Sequence, residues 1–220
     1  MTATRAGTFA NVAEPLRDDE IHVWRLAYRR EHGRAPLRAV LGNYLGMPAD
    51  NVTLVTGEHG RPELGLAHDR ALGFNWSHSG GRALIAVARG ITPGIDLEQL
   101  RPRAHVLELA RRFFTPDEAA ALTALPDAAR NTAFLQQWTA KEAVLKSLGR
   151  GIAFGLHRLD VAGAGAPLAL TWLDGDDAGA WQLQPLDVGT QHVATLAWRG
   201  GPRPIRWHVL EADDRRSKHA

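Results

Sequence analysis

From about Asp127 to Leu148 the chain carries one continuous helical pattern of roughly six turns, closed by Gly149 and Gly151. Its apolar seam includes Phe134, Leu135, Trp138, Leu145 and Leu148. What the rest of the chain offers is mainly short strand-like runs, with no regular alternation of strand and helix. Helices and strands mixed without regular alternation point to an α+β arrangement. At 220 residues the chain is long for one small domain and short for two large ones, so the expectation is one compact unit of two subdomains. The division is placed near residue 103, giving subdomains 1–103 and 104–211 and a charged tail, 212–220, expected to be disordered.

Ile21 to Leu26 alternates as a strand, and Leu37, Val40, Leu41 and Leu45 recur at helical spacing from about Arg34 to Leu45, stopping near Gly46 and Pro48. Val52 to Val55 reads as a strand and Gly57 to Pro62 as a turn. Phe74 to Ser79 is expected to enter a loop. Ala83 to Ala88 is a compact apolar strand that turns through Gly90–Gly94 into Ile95–Glu98, the two strands suggesting a hairpin. A helix is expected from about His105 to Phe114. Another begins at Thr115, where Thr115 and Glu118 form a capping-box pattern with Pro116 at the first helical position. The remainder reads as short strands carrying Trp172, Trp181, Trp198 and Trp207.

Composition narrows the chemistry. A hydrophobic fraction of 45% and a charged fraction of 23% are ordinary globular values. The absence of cysteine excludes disulfides, thiolate metal sites and cysteine nucleophiles together. The formal net charge of +2 and the scattered basic residues argue against a nucleic-acid partner. The cluster Arg25, Arg29, Arg30, Arg34, Arg38 is the exception; it fits either a solvated face or a polyphosphate contact. Met1 to Arg17 lacks a signal-peptide core, and no stretch approaches the roughly 20 apolar residues of a membrane span, so a cytoplasmic protein without a membrane partner is expected.

In Gly94-Ile95-Asp96-Leu97-Glu98 the strand period of two sends the apolar residues to one face and both carboxylates to the other. Two anions held side by side repel unless a cation neutralises them, and a hard divalent ion such as magnesium suits oxygen ligands. The plainer alternative is a strand with a polar face. On the long helix Glu142 lies about 40° around the axis from Trp138 and about 20° from Leu135, at the border of the buried stripe. There it needs a metal or cation partner, or forms a structural ion pair with Lys146 one turn on. Of the 26 lysines and arginines only three are lysine, and two of these are Lys141 and Lys146. A compact ammonium can reach a phosphate oxygen where a broad guanidinium does not fit. The run Phe74-Asn75-Trp76-Ser77-His78-Ser79-Gly80-Gly81 offers hydroxyls, an imidazole and backbone amides suited to an anion, although most such histidines do nothing special. Gly60-Arg61-Pro62 reads simply as a turn bearing an arginine.

Taken in order, Gly60-Arg61-Pro62, Phe74-Asn75-Trp76-Ser77-His78-Ser79, Gly94-Ile95-Asp96-Leu97-Glu98 and Trp138-Thr139-Ala140-Lys141-Glu142-Ala143-Val144-Leu145-Lys146 resemble the successive motifs of the Sfp-type 4'-phosphopantetheinyl transferases. The resemblance runs from about Ile21 to Val161. It implies a pseudo-twofold α+β fold of two similar subdomains with coenzyme A in the cleft between them. It further implies transfer of the 4'-phosphopantetheine group of coenzyme A to a serine of an apo acyl or peptidyl carrier protein, with release of adenosine 3',5'-bisphosphate. Magnesium would be held by Asp96, Glu98 and Glu142, with Glu142 and Lys146 catalytic and Lys146 also on the co-substrate. Arg61, Ser77 and His78, with Arg30 as a fourth, would contact the phosphates of coenzyme A. Arg111, Arg112, Phe113 and Phe114 fall where the family meets its carrier, a buried helix end being the other reading.

The segment between Leu26 and Arg34 is shorter than in most relatives, and Gln99 follows the acidic pair where relatives often carry a charge. Because one chain holds both halves, a monomer is expected. Two rival readings are a non-catalytic member of the fold that only binds coenzyme A or a carrier, and a basic nucleic-acid module built on the arginines near Arg30.

Overall fold

The computed structural model describes residues 15–57, 59–162 and 167–210. In chain order the elements are β1 (Ile21–Ala27), α1 (Ala35–Leu45), β2 (Leu54–Thr56), β3 (Pro62–Leu64), β4 (Leu72–Ser79), β5 (Arg82–Arg89), β6 (Gly94–Gln99), α2 (Val106–Phe113), α3 (Pro116–Ala124), α4 (Asp127–Ser147), β7 (Leu159–Ala162), β8 (Ala169–Leu173), β9 (Trp181–Pro185), β10 (His192–Arg199) and β11 (Ile205–Leu210). The mixed α+β class expected from the sequence is the class observed.

Four strands form one sheet in the order β11-β1-β5-β4, and three form a second in the order β6-β10-β9. Strand alternation divides the apolar residues of the first sheet between two clusters. Trp24, Leu26, Phe74, Ile85 and Val87 pack on Leu37, Val40 and Leu41 of α1. Ile21, Val23, Leu84, Ala86 and Ala88 face Ile95, Leu97, Leu196 and Trp198 of the second sheet. β5 is therefore buried on both faces, which is why it reads as an unbroken apolar run. The other side of the second sheet receives α4, whose Ala140, Ala143, Val144 and Leu145 join Val161, Trp181 and Ala197 in the third cluster.

One close approach fixes how α4 crosses the sheet. A Cβ placed on Gly94 would lie 1.9 Å from the Ala143 carbonyl oxygen and 2.5 Å from the Ser147 amide, so the helix backbone passes directly over the start of β6. Only glycine leaves that room. Ser147 Oγ donates to the Thr92 carbonyl at 2.6 Å and fastens the same crossing.

Two local expectations are overturned. Phe74–Ser79, expected as a loop, lies within strand β4. Its Asn75, Ser77 and Ser79 point at β6 and accept backbone N–H groups there, so polar side chains stand where a strand would normally show apolar ones. The expected hairpin of Ala83–Ala88 with Ile95–Glu98 does not form. β5 pairs with β4 through the Gly80–Gly81 turn and with β1, while β6 pairs with β10. Ile95 and Leu97 are buried in the apolar layer between the two sheets, and β10 offers β6 a full antiparallel register there.

The Thr115 cap of α3 is observed as expected, with Thr115 accepting from the Glu118 amide and Glu118 accepting from the Thr115 amide. Glu118 does more: its other oxygen accepts the Val161 amide at 2.9 Å, and it pairs with fully buried Lys141. Lys141 Nζ also donates to the Leu156 and Leu159 carbonyls, so its three donors are used inside the protein. Strand pairing crosses residue 103 twice, in β6 with β10 and in β11 with β1, the latter parallel from Ile21↔Ile205 to Leu26↔Leu210. The tail 212–220 lies outside the described residues.

Candidate active site

The Gly94 crossing sets the last turns of α4 above β6 and brings the two acidic motifs together. Lys146 Nζ donates to Asp96 Oδ1 at 2.6 Å and to the Ile95 carbonyl at 3.1 Å. Lys146 is thus paired with Asp96 rather than with Glu142, the partner considered from helical spacing. Ser77 Oγ donates to the same Asp96 oxygen at 2.9 Å. Glu98 takes Ser79 Oγ at 3.3 Å and Arg103 at 3.1 Å.

The three carboxylates share one electrostatic neighbourhood. Burial, with Asp96 and then Glu98 adding to it against Lys146, pushes the Glu142 carboxyl up to about 7. Burial and then Asp96 raise Glu98 as well, against Arg103 and Lys146. Asp96 Oδ2 and Glu142 Oε1 are buried with no hydrogen-bond partner. Among the described residues no three His, Cys, Asp or Glu side chains already stand as a closed metal cluster. The donors present are nevertheless hard oxygens, two of them orphaned, on opposite sides of the α4–β6 seam. That chemistry fits a divalent cation better than it fits an apolar packing site.

Pockets flank the seam. One of about 240 Å³ is bordered by Arg61, Trp76, Glu142, Lys146 and Arg150. Arg61 is locked in its wall, donating to the Lys146 carbonyl and to the Phe74 carbonyl, each at 3.0 Å, and burial lowers its pKa. Another of about 620 Å³ is bordered by Tyr28, Arg30, His78, Glu98 and Arg103. Exposed His78 stacks on Tyr28 with ring centroids 4.6 Å apart, and partial burial, Lys146 and Arg30 lower its pKa, favouring the neutral ring. Arg30 and His78 therefore border one pocket and Arg61 the other. The Ser77 hydroxyl is turned inward, accepting the Leu97 amide while donating to Asp96.

The Arg25–Arg38 cluster is not one face: Arg25 is on β1, Arg29 and Arg30 are exposed between elements, and Arg34 and Arg38 are half-buried at α1. At α2, Arg111 and Arg112 are exposed, the Arg112 guanidinium lies 5.1 Å from the Phe113 ring centre, and buried Phe114 stacks on Phe134. Phe114 thus belongs to the core and the arginines to the surface. Gln99 accepts from Arg101 Nε. Tyr28, Ser79 and Arg103 are neighbours of the site that motif reading did not single out. Only Ser79 had a signal, the every-second-residue polar pattern of Asn75, Ser77 and Ser79.

Residues 92–197 match the 4'-phosphopantetheinyl transferase superfamily. The chain is 38% identical over 206 residues to the 4'-phosphopantetheinyl transferase HetI of Nostoc sp., covering 90% of this chain and 85% of that protein. It is 36% identical over 171 residues to the putative 4'-phosphopantetheinyl transferase slr0495 of Synechocystis sp., covering 75% and 69%. To the 4'-phosphopantetheinyl transferase Sfp of Bacillus subtilis it is 31% identical over 138 residues, covering 61% and 58%. The chain belongs to the 4'-phosphopantetheinyl transferase superfamily, enzymes that move the phosphopantetheine group of coenzyme A to a carrier-protein serine.

Proposed function

We propose that this chain transfers the 4'-phosphopantetheine group to a serine of an apo acyl or peptidyl carrier protein at the seam of α4 and β6. The observation that supports this reading most is the pair of buried, partnerless oxygens, Asp96 Oδ2 and Glu142 Oε1, with Lys146 beside them. Leaving ionised oxygens buried and unpaired costs several kcal/mol unless a cation meets them. Asp96, Glu98 and Glu142 would hold magnesium, which supplies charge neutralisation for the pyrophosphate of coenzyme A.

The Glu142 carboxylate takes the proton of the carrier serine. The serine oxygen then bonds to the phosphorus that bears pantetheine, and the phosphoanhydride bond breaks. Lys146 Nζ steadies the negative charge gathering on the departing adenosine 3',5'-bisphosphate. The nucleophile is the partner's, so the chain needs none of its own. Arg61 in one pocket and Arg30 with His78 in the other provide phosphate contacts. Ser77, assigned to the phosphates by resemblance, has its hydroxyl engaged with Asp96 and would act there from within.

On this reading subdomains 1–103 and 104–211 form a pseudo-twofold pair around the ligand cleft, and the chain works as a cytoplasmic monomer without nucleic-acid or membrane partners. Among the described residues no helix is long and apolar enough to cross a membrane. Exposed Arg111 and Arg112 suit the acidic helices of carriers.

The test is intact-mass analysis of apo carrier proteins incubated with the chain and coenzyme A, with magnesium or with a chelator. The expected result is one added phosphopantetheine arm, seen only with magnesium. No addition on several carriers despite coenzyme A binding would replace this reading with the non-catalytic one.

A further inference from the structure

β4 and β6 run side by side at the junction of the two sheets without sharing a backbone ladder. Side chains make the link instead. Asn75 Oδ1 accepts the Ile95 amide at 3.1 Å, Ser77 Oγ the Leu97 amide at 3.2 Å, and Ser79 Oγ the Gln99 amide at 3.1 Å. The strand period of two repeats the same contact three times with a constant offset along the chain.

At two of the three steps the contact does something more. A serine hydroxyl that accepts an amide still has its own proton to donate, and accepting fixes the direction in which it donates. Ser77 turns that proton to Asp96 Oδ1, and Ser79 turns its proton to Glu98 Oε2. At the Asn75 step the corresponding residue is Gly94, which has no side chain to orient. The serines therefore stand where the acidic residues stand.

The choice of oxygen is also consistent. Ser77 and Lys146 both donate to Asp96 Oδ1, leaving Oδ2 without a partner. Ser79 and Arg103 both donate to Glu98 Oε2. On each carboxylate these donors gather on one oxygen and leave the other to a different partner.

We propose that Ser77 and Ser79 are positioning residues that set the orientation of Asp96 and Glu98 for a divalent cation, an inference that rests on the cation reading of the site. Outer partners of this kind commonly change metal affinity by about 10- to 100-fold when removed. Asn75 provides the internal control, because its loss removes an acceptor from β6 without removing a hydrogen bond to a carboxylate.

The experiment titrates the whole protein with Mn2+ in the presence of coenzyme A, following free Mn2+ by electron paramagnetic resonance, with coenzyme A alone as the blank. Ser77→Ala, Ser79→Ala and Asn75→Ala should all lower the unfolding temperature. Only the two serine variants should lose Mn2+ affinity, by about tenfold or more, and Ser79→Thr, which keeps the hydroxyl, should restore it. Wild-type affinity in both serine variants, or an equal loss in Asn75→Ala, would overturn the positioning role while leaving the cation reading intact. Absence of Mn2+ binding by the wild type, beyond that of Asp96→Ala, would overturn the cation reading and this inference with it. Should Ser77→Ala fail to fold, half-buried Ser79 decides the matter alone.

Discussion

The ammonium of Lys146 lies 2.6 Å from Asp96 Oδ1, joining the last turn of α4 to the middle of β6 across fifty residues of sequence. The contact both anchors the helix and holds a cation charge beside the carboxylates. Lys146→Met should lower the transfer rate by about a hundredfold, the scale of losing one preorganised electrostatic donor. Coenzyme A affinity should fall much less, which single-turnover kinetics beside equilibrium binding would separate.

Glu142 gives a pH signature. Its folded-state pKa, about 7, lies above the ordinary value of 4.5. The folded protein therefore binds this proton more tightly than the unfolded chain does. The stabilisation is fully present below about pH 4.5 and is lost as pH rises through 7, a change of at most about 3 kcal/mol. Urea unfolding in chelator at pH 5 and pH 8 should show this loss. Glu142→Gln should flatten it and abolish transfer; near-native transfer by that variant would remove Glu142 from the reaction.

Lys141 has the opposite character. Lys141→Met leaves Glu118 buried beside two unpaired carbonyls, and breaking a buried pair in this way costs about 3–5 kcal/mol. Denaturant unfolding should register that loss, and whatever fraction remains folded should retain turnover.

Gly94→Ala should be worse than an ordinary small-to-large change. The new methyl would meet backbone on both contacts, 1.9 Å from the Ala143 oxygen and 2.5 Å from the Ser147 nitrogen, with no flexible side chain to yield. A destabilisation above about 3 kcal/mol is expected, together with loss of transfer as α4 lifts from β6. A crystal structure or thermal melt of the variant would check it.

His78→Ala should raise the KM for coenzyme A several-fold with little change in kcat. Its ring lies in the Arg30 pocket, stacked on Tyr28, and takes no part in the Asp96–Lys146 hydrogen bond. An unchanged KM would retire the phosphate role.

Features governed by neighbours a few residues away were legible beforehand. The Thr115–Glu118 cap, the end of α4 near Gly149 and the alternation of Asp96 and Glu98 follow from local periodicity. β4 was hidden because Asn75, Ser77 and Ser79 spend their polar groups on β6, giving a strand the composition of a loop. The partner of β6 was hidden because β10 lies about a hundred residues on, while the Gly90–Gly94 turn offered a hairpin close at hand. The two helix lysines looked alike in composition but sit about 140° apart around the axis. One was bound to face the core if the other faced the cleft.

The parallel seam of β11 against β1 carries a consequence for biosynthesis. The strand that completes the first sheet lies far along the sequence from its neighbour, Ile21 pairing with Ile205, so β1 must wait for all the chain between them to be made before its outer neighbour arrives. Until then the exposed flank of β1 is an unguarded edge, open to wrong pairing. The first sheet should accordingly close only after Ile205 and its strand have been made, and a nascent chain stalled before Ile205 should need chaperone cover.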